Sequence, residues 1–191
     1  MRKGISIVGL ATLPLAALGQ ERGFDYTYVE ASYLSSEVEA GPFDADGDGL
    51  GLRGSFAMSD LLHLFAEYST QDHDFGIDTS ALSVGVGLHK PLQSKLDFFG
   101  ELGWVSAEVD TPVGDVDDDG IGLSAGLRFR ASDSVELEGA INHVNLDDSD
   151  TSLSLRGRYY FNRSFALTGG LLLNDDDTGW HVGVRAEFGG R

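Results

Sequence analysis

Cysteine is absent from the chain, so no disulfide can brace it and no thiolate can serve as nucleophile or soft metal ligand. Lysine is nearly as scarce, with Lys3, Lys90 and Lys95 the only three among 191 residues. A soluble exterior ordinarily carries many Lys and Glu side chains, so this chain shows water an unusual surface or hides most of its surface from it. Long apolar runs are missing as well. Beyond the first twenty residues, nothing approaches the roughly 20 apolar residues of a membrane helix. If the chain resides in a bilayer, it does so as a closed barrel, because only helices and closed barrels satisfy every backbone polar group in lipid. Positive charge is short overall, with 13 basic residues against 31 acidic ones and a formal net charge of −18. Such a surface repels nucleic acid and anionic lipid head groups.

The first residues have a composition of their own. Arg2 and Lys3 precede a short apolar stretch from Ile5 to Leu18, and Ala17-Leu18-Gly19 offers small residues where a signal peptidase reads them. This is the pattern of a secretory leader, too short and wrongly flanked for a spanning helix. Residues 1–19 are therefore read as signal peptide and 20–191 as one domain of suitable length. Removing Arg2 and Lys3 leaves 11 basic residues against 31 acidic ones in that domain.

From there the dominant periodicity is two, the signature of strands. Ten segments alternate an apolar face with a small, polar or charged one. Leu50, Leu52, Phe56 and Met58 oppose Gly51, Arg53 and Ser55; Leu62, Leu64, Ala66 and Tyr68 oppose His63, Phe65, Glu67 and Ser69. Ile121, Leu123, Leu127 and Phe129 oppose Ser124, Arg128 and Arg130, and Trp180, Val182 and Val184 oppose His181 and Arg185. Three-residue turns at 59–61, 132–134 and 162–164, and a slightly longer one near Lys90-Pro91, alternate with longer acidic loops at 35–47, 72–78, 108–119, 145–150 and 174–178. Short turns at one end and long loops at the other indicate an all-β, transmembrane, antiparallel up-and-down barrel of ten strands, with eight as the alternative count. The loops are expected to face outward and both termini to face the periplasm.

The apolar face is assigned to lipid. The other face is rich in Gly, Ala and Ser, and its mid-strand cations are all arginine, the residue suited to buried pairing with carboxylates. Tyr33, Tyr68 and Trp104 fall near the loop ends of the apolar faces, and Phe56, Phe98, Phe129, Phe161, Phe165 and Phe188 near the turn ends, giving two aromatic girdles. The inner charges are ordered. Glu30, Glu67, Glu101, Glu136 and Glu138 lie on strands running one way; Arg53, Arg128, Arg130, Arg156, Arg158 and Arg185 lie on strands running the other. The tight turns place Arg53 opposite Glu67, Arg128 opposite Glu138 and Arg130 opposite Glu136, and opposite charges facing across strands stabilise one another. A filled lumen is expected, with a narrow porin-like channel for small solutes or cations as the alternative.

Two acidic stretches look like halves of a calcium loop. Asp44, Asp46 and Asp48 lead up to Gly49, and Asp115, Asp117 and Asp119 precede Gly120. In both, the twelfth position (Ser55, Gly126) lacks the bidentate glutamate the motif requires. Weak divalent-cation binding at these loops is the most that follows, and no cofactor is expected; flexible Asp-Gly turns are the plainer reading.

The whole domain resembles the small outer-membrane barrels grouped as OmpA-like and porin-like, and a xanthomonad-type surface barrel family in particular. The residues that carry the likeness are Tyr26-Thr27-Tyr28-Val29-Glu30, Asp44-Ala45-Asp46-Gly47, Gly54-Ser55-Phe56-Ala57 with Ser59-Asp60, and Leu64-Phe65 followed by Tyr68-Ser69-Thr70-Gln71-Asp72. The likeness implies the outer membrane as address and a porin-like or surface role. Partners would be outer-membrane lipid and lipopolysaccharide, plus the assembly machinery and periplasmic chaperones during biogenesis. Nucleic acid is not a partner, and the protein is read as a monomer. Asp72-His73-Asp74 and the loop at 175–177 invite comparison with omptin-like proteases, but those loops offer little scaffold to preorganise a site. No enzyme is expected, because no nucleophile, base and orienter converge.

Overall fold

A computed structural model of the protein describes residues 23–40, 43–174 and 177–189. The leader read at 1–19 lies outside the described residues. Ten strands follow in order: β1 (Tyr28–Ala40), β2 (Phe43–Ala57), β3 (Leu62–His73), β4 (Ile77–Gln93), β5 (Leu96–Thr111), β6 (Gly114–Ser132), β7 (Val135–Asn145), β8 (Ser149–Tyr160), β9 (Phe165–Leu173) and β10 (Asp177–Glu187). Each pairs antiparallel with its neighbours, and β1 pairs with both β2 and β10, so the sheet closes into an up-and-down barrel. Closure leaves no sheet edge with unpaired backbone groups.

The registers fix the barrel's dimensions. Partners followed round the wall from Glu37 lead through Thr178, Leu173, Leu153, Ile141, Ala125, Gly100 and Leu88 to Leu62. Met58 N then donates to Leu62 O. Continuing the constant β1–β2 register from Met58 returns to the chain at Asp25, twelve residues below the start. With a rise of about 3.3 Å and a strand spacing of about 4.8 Å, ten strands staggered by twelve residues tilt by about 40° and enclose a backbone radius of about 10 Å. Arginine and glutamate side chains can meet at the axis of such a barrel. Where the inward residue is Gly, Ala or Ser, a bore stays open.

Outward positions are apolar through a continuous belt. Leu50, Leu52, Val86, Leu123, Ile141 and Val184 are all exposed. On β6 the belt runs from Ile121 to Phe129, which at that rise and tilt is about 20 Å of height, close to the ~25 Å apolar band of membrane barrels. Tyr33, Tyr68, Trp104 and Trp180 ring one end of it, with the Tyr33 and Trp180 rings 5.7 Å apart. Phe56, Phe129, Phe161, Phe165 and Phe188 ring the other. An apolar surface of this extent is stable against lipid and not against water.

The expected loops at 35–47 and 108–119 prove to be mostly strand. β1 and β2 stay paired up to Ala40 and Phe43, and β5 and β6 up to Thr111 and Gly114. Above the belt no lipid face has to be encoded, so the alternation that marks a membrane strand disappears while the hydrogen-bonded ladder continues. The two hairpins rise about 18 Å beyond Tyr33 and Trp104, whereas β9 ends at Leu173 and β10 begins at Asp177, just above the belt. The barrel therefore has a tall end with a lopsided rim and a turn end with short connections. Between β3 and β4 the tall end closes in a single 3-10 turn, Asp74–Gly76, with Phe75 at φ 66°. The connection near Lys90-Pro91 is shorter than expected: β4 runs on to Gln93, with an irregular register between Pro91 and Gln93, where proline lacks the N–H the ladder needs.

Candidate functional site: the lumen

Inward residues divide the lumen into two halves. In the turn-end half they are long and charged. Arg128 and Arg130 on β6 face Glu138 and Glu136 on β7, which in turn face Arg156 and Arg158 on β8. Arg53 on β2 lies between Glu30 on β1 and Glu67 on β3. All eleven charged residues read from the sequence point inward, and each makes an ionic contact.

Glu136 is the hub. Its carboxylate accepts from Arg158 Nη1 at 2.8 Å and Arg130 Nη2 at 3.3 Å, and Arg128 Nε stands 3.4 Å away. Glu138 accepts from Arg128 Nε at 3.0 Å, lies 2.9 Å from Arg158 Nη2, and is 3.6 Å from Arg156 Nη1. Arg53 Nη2 donates to both oxygens of Glu101 at 2.6 and 2.7 Å; its Nη1 meets Glu67 and its Nε donates to Tyr28 at 2.9 Å. Glu30 stands 3.7 Å from Arg185 and 3.9 Å from Arg158. These last contacts are between charges and do not have the geometry of hydrogen bonds. Several spokes bridge strands that are not neighbours, as the tilt allows: Arg53 on β2 reaches Glu101 on β5, and Arg158 on β8 reaches Glu30 on β1.

Residues that were not singled out from the sequence complete the plug. The stretch before β1 passes under the barrel wall and into the mouth. Its Gly23 and Asp25 carbonyls accept from Arg130, Arg128 and Arg185, and Phe24 and Tyr26 lie under the Arg130 and Arg128 guanidinium groups. Tyr26 donates to Asp97 at 2.8 Å and stacks on His89 at 3.7 Å between ring centroids. His63 approaches His89 at 3.2 Å, Nδ1 to Nδ1, and Glu101 at 3.1 Å. Gly87 makes this possible, since a Cβ there would lie 2.2 Å from the His63 ring. Glu187 accepts from Tyr160 at 2.7 Å and Arg185 at 3.0 Å. His63, Asp97 and Glu187 occupy the same alternating inward positions as the residues that were singled out, so period two already marked them. Tyr26 shares that parity with Tyr28 and Glu30, but its partners Asp97 and His89 lie four and three strands away, which no local pattern encodes. The result is dense: Glu136, Arg158, Arg185 and His63 are each at most 2% exposed.

In the tall-end half the inward residues are short. Ser69, Ser83, Gly103, Gly122, Ser124 and Ser152 surround a cavity of about 370 Å³, floored by Arg53, Glu67, Glu101 and Glu138.

The aspartates of the two half calcium motifs sit elsewhere. Asp44, Asp46 and Asp48 are on β2, and Asp115, Asp117 and Asp119 are on β6, within paired ladders. Neither stretch is a loop or a flexible turn. An extended strand cannot wrap an ion as the calcium loop does, and among the described residues no three His, Asp or Glu side chains gather as metal ligands. In the rim stretch compared with omptins, His73 closes β3 and its Nε2 lies 3.1 Å from Thr79 Oγ1; residues 175 and 176 lie outside the described residues.

A closed ten-stranded barrel, apolar outside and charged within, is a transmembrane β-barrel of the outer-membrane type. No family model and no curated protein matches the sequence. Solved structures of similar fold include three of low identity. Ail, the attachment invasion locus protein of Yersinia pestis, is 14% identical over 84% of this chain and 97% of its own, with a TM-score of 0.46. Neisserial surface protein A is 16% identical over 84% and 96%, with a TM-score of 0.42. The KdgM porin is 9% identical over 85% and 99%, with a TM-score of 0.47.

Proposed function

We propose that the protein is an exported outer-membrane barrel with a lumen closed by its own side chains, acting as a structural or surface-interaction element with its acidic tall end outward. The supporting observation is the packing of the turn-end half. Six arginines meet carboxylates there, the stretch before β1 fills the remaining mouth, and the central charges are almost wholly buried. An open pore would leave such groups hydrated. Lipid and lipopolysaccharide would contact the belt and the rim.

Potassium efflux from proteoliposomes holding barrel of verified fold, shown by different gel mobility before and after boiling, tests this reading. Efflux no faster than from protein-free vesicles is the expected result. Rapid efflux at one barrel per vesicle would instead establish the narrow-channel alternative.

A further inference from the structure

The tall-end cavity has features that a mere vestibule does not require. Its volume of about 370 Å³ falls within the ~300–1,000 Å³ range of small-molecule pockets. Its wall is divided. Leu34 on β1, Phe65 on β3 and Val105 on β5 present apolar surface from one arc. The opposite arc, β7 to β10, presents Asn142, Ser152, Ser154, Arg156 and His181. Asn142 Nδ2 reaches the Ser152 and Ser154 hydroxyls at 3.5 and 3.3 Å, so this side is already ordered.

Two nitrogens of that arc that line the cavity are unused. Arg156 Nε and His181 Nε2 are buried and have no hydrogen-bond partner. They sit side by side over Gly170, the residue paired with both Arg156 and His181. A Cβ at Gly170 would lie 3.0 Å from Arg156 Cγ and 2.5 Å from His181 Cε1, so only glycine leaves the two side chains room to lie there. Arg156 is also the arginine least committed to the plug. Its ionic contact is one 3.6 Å approach to Glu138, and its side chain is 22% exposed, where Arg128 and Arg158 are almost fully covered. Buried donors without acceptors are costly, and a guanidinium is matched in shape to a carboxylate.

We infer that the cavity is a binding pocket for a small carboxylate with an apolar body, entering from the tall end. The carboxylate would accept from Arg156 Nε and from His181 in the tautomer protonated at Nε2, and the body would lie against Leu34, Phe65 and Val105. The inference rests on the reading that the lumen is blind at the turn end, since a blind cavity retains what enters it.

The test uses 4-phenylbutyrate as probe, with 4-phenylbutylamine and 4-phenylbutanol as charge controls, on full-length barrel in lipid nanodiscs. Binding is read by calorimetry and by nuclear magnetic resonance of the Arg156 Nε and His181 ring signals. The acid is expected to bind saturably and shift both signals, at least tenfold more tightly than the amine or the alcohol. Arg156→Gln should weaken it at least tenfold, and Ser152→Phe, which fills the cavity away from the plug, should abolish it. No saturable binding, equal binding of acid and amine, or binding indifferent to both variants would overturn the inference. If Arg156→Gln fails to fold, Ser152→Phe and the signal shifts decide alone. The potassium-efflux result separates this from the closed-lumen reading. A leaky barrel that binds the acid sinks only the closed lumen, and a tight barrel that does not bind it sinks only the pocket.

Discussion

The two halves of the lumen share one wall, one stagger and one set of strands, and differ in the length of the inward side chains. At the turn end, Arg128, Glu136, Glu138 and Arg158 pair along adjacent strands, Arg53 reaches Glu101 three strands away, and water is left little room. At the tall end, Ser69, Ser124, Ser152 and their neighbours leave about 370 Å³ open. A barrel of about 10 Å backbone radius is thus neither filled nor hollow by virtue of strand number. The sequence decides at each level, by placing long charged or short residues at every second position.

The largest test of that contrast substitutes leucine in each half. Glu136→Leu removes the carboxylate that three arginines share, leaving uncompensated positive charge in a dry site. It should cost about 3–5 kcal/mol, read as a shift in urea unfolding of the barrel in lipid vesicles. Ser69→Leu, facing the cavity, should cost less than about 1 kcal/mol by the same measurement. Equal losses would erase the distinction between the halves.

A second pair compares the outside of one strand with its inside. Ala125 on β6 faces lipid near the middle of the belt, so Ala125→Arg should cost about 2–4 kcal/mol. Ser124, the adjacent residue, borders the cavity, and Ser124→Arg should cost under about 1 kcal/mol because the new charge meets water. Should Ser124→Arg prove the more damaging, the inside and outside assignments would be reversed.

The smallest effect lies above the belt. Asp110 on β5 shares a row with Asp78 on β4 and Asp115 on β6. Desolvation, followed by repulsion from Asp115 and Asp78, raises its pKa above the ordinary aspartate value. A raised carboxyl binds its proton more tightly folded than unfolded, so it detracts from stability once pH rises above its folded value. Asp110→Asn should therefore make the barrel slightly more stable at neutral pH, and the advantage should vanish as pH falls through the carboxylate range. An advantage that persists in acid would mean the row is not strained by charge.

Much of this arrangement could be read from period two. The alternation of Leu50, Leu52 and Phe56 with Gly51, Arg53 and Ser55 fixed which face carries charge, and the turn at 59–61 placed Arg53 opposite Glu67, as the ladder has them. The reach of Arg53 to Glu101 could not be read. It crosses from β2 to β5, and depends on a stagger that no local pattern encodes. The tall hairpins were hidden for another reason. Asp44 to Asp48 and Asp115 to Asp119 have the composition of turns, yet pairing with β1 and β5 holds them extended, so ladder hydrogen bonds override local preference. Tyr26 sits at an inward position by the same alternation, but its contacts with Asp97 on β5 and His89 on β4 depend on the stagger, as the reach of Arg53 does.

The central claim is that the turn-end half is shut. Single-channel recording across a planar bilayer tests it most directly, with insertion verified by antibody to an epitope at the rim. Inserted wild-type barrel should show no steady current steps at moderate voltage, while trimming the plug with Arg53→Gly and Arg128→Gly together should produce cation-preferring steps, because carboxylates then line the path. Steady ohmic steps from the wild type, unchanged by the double substitution, would contradict the account.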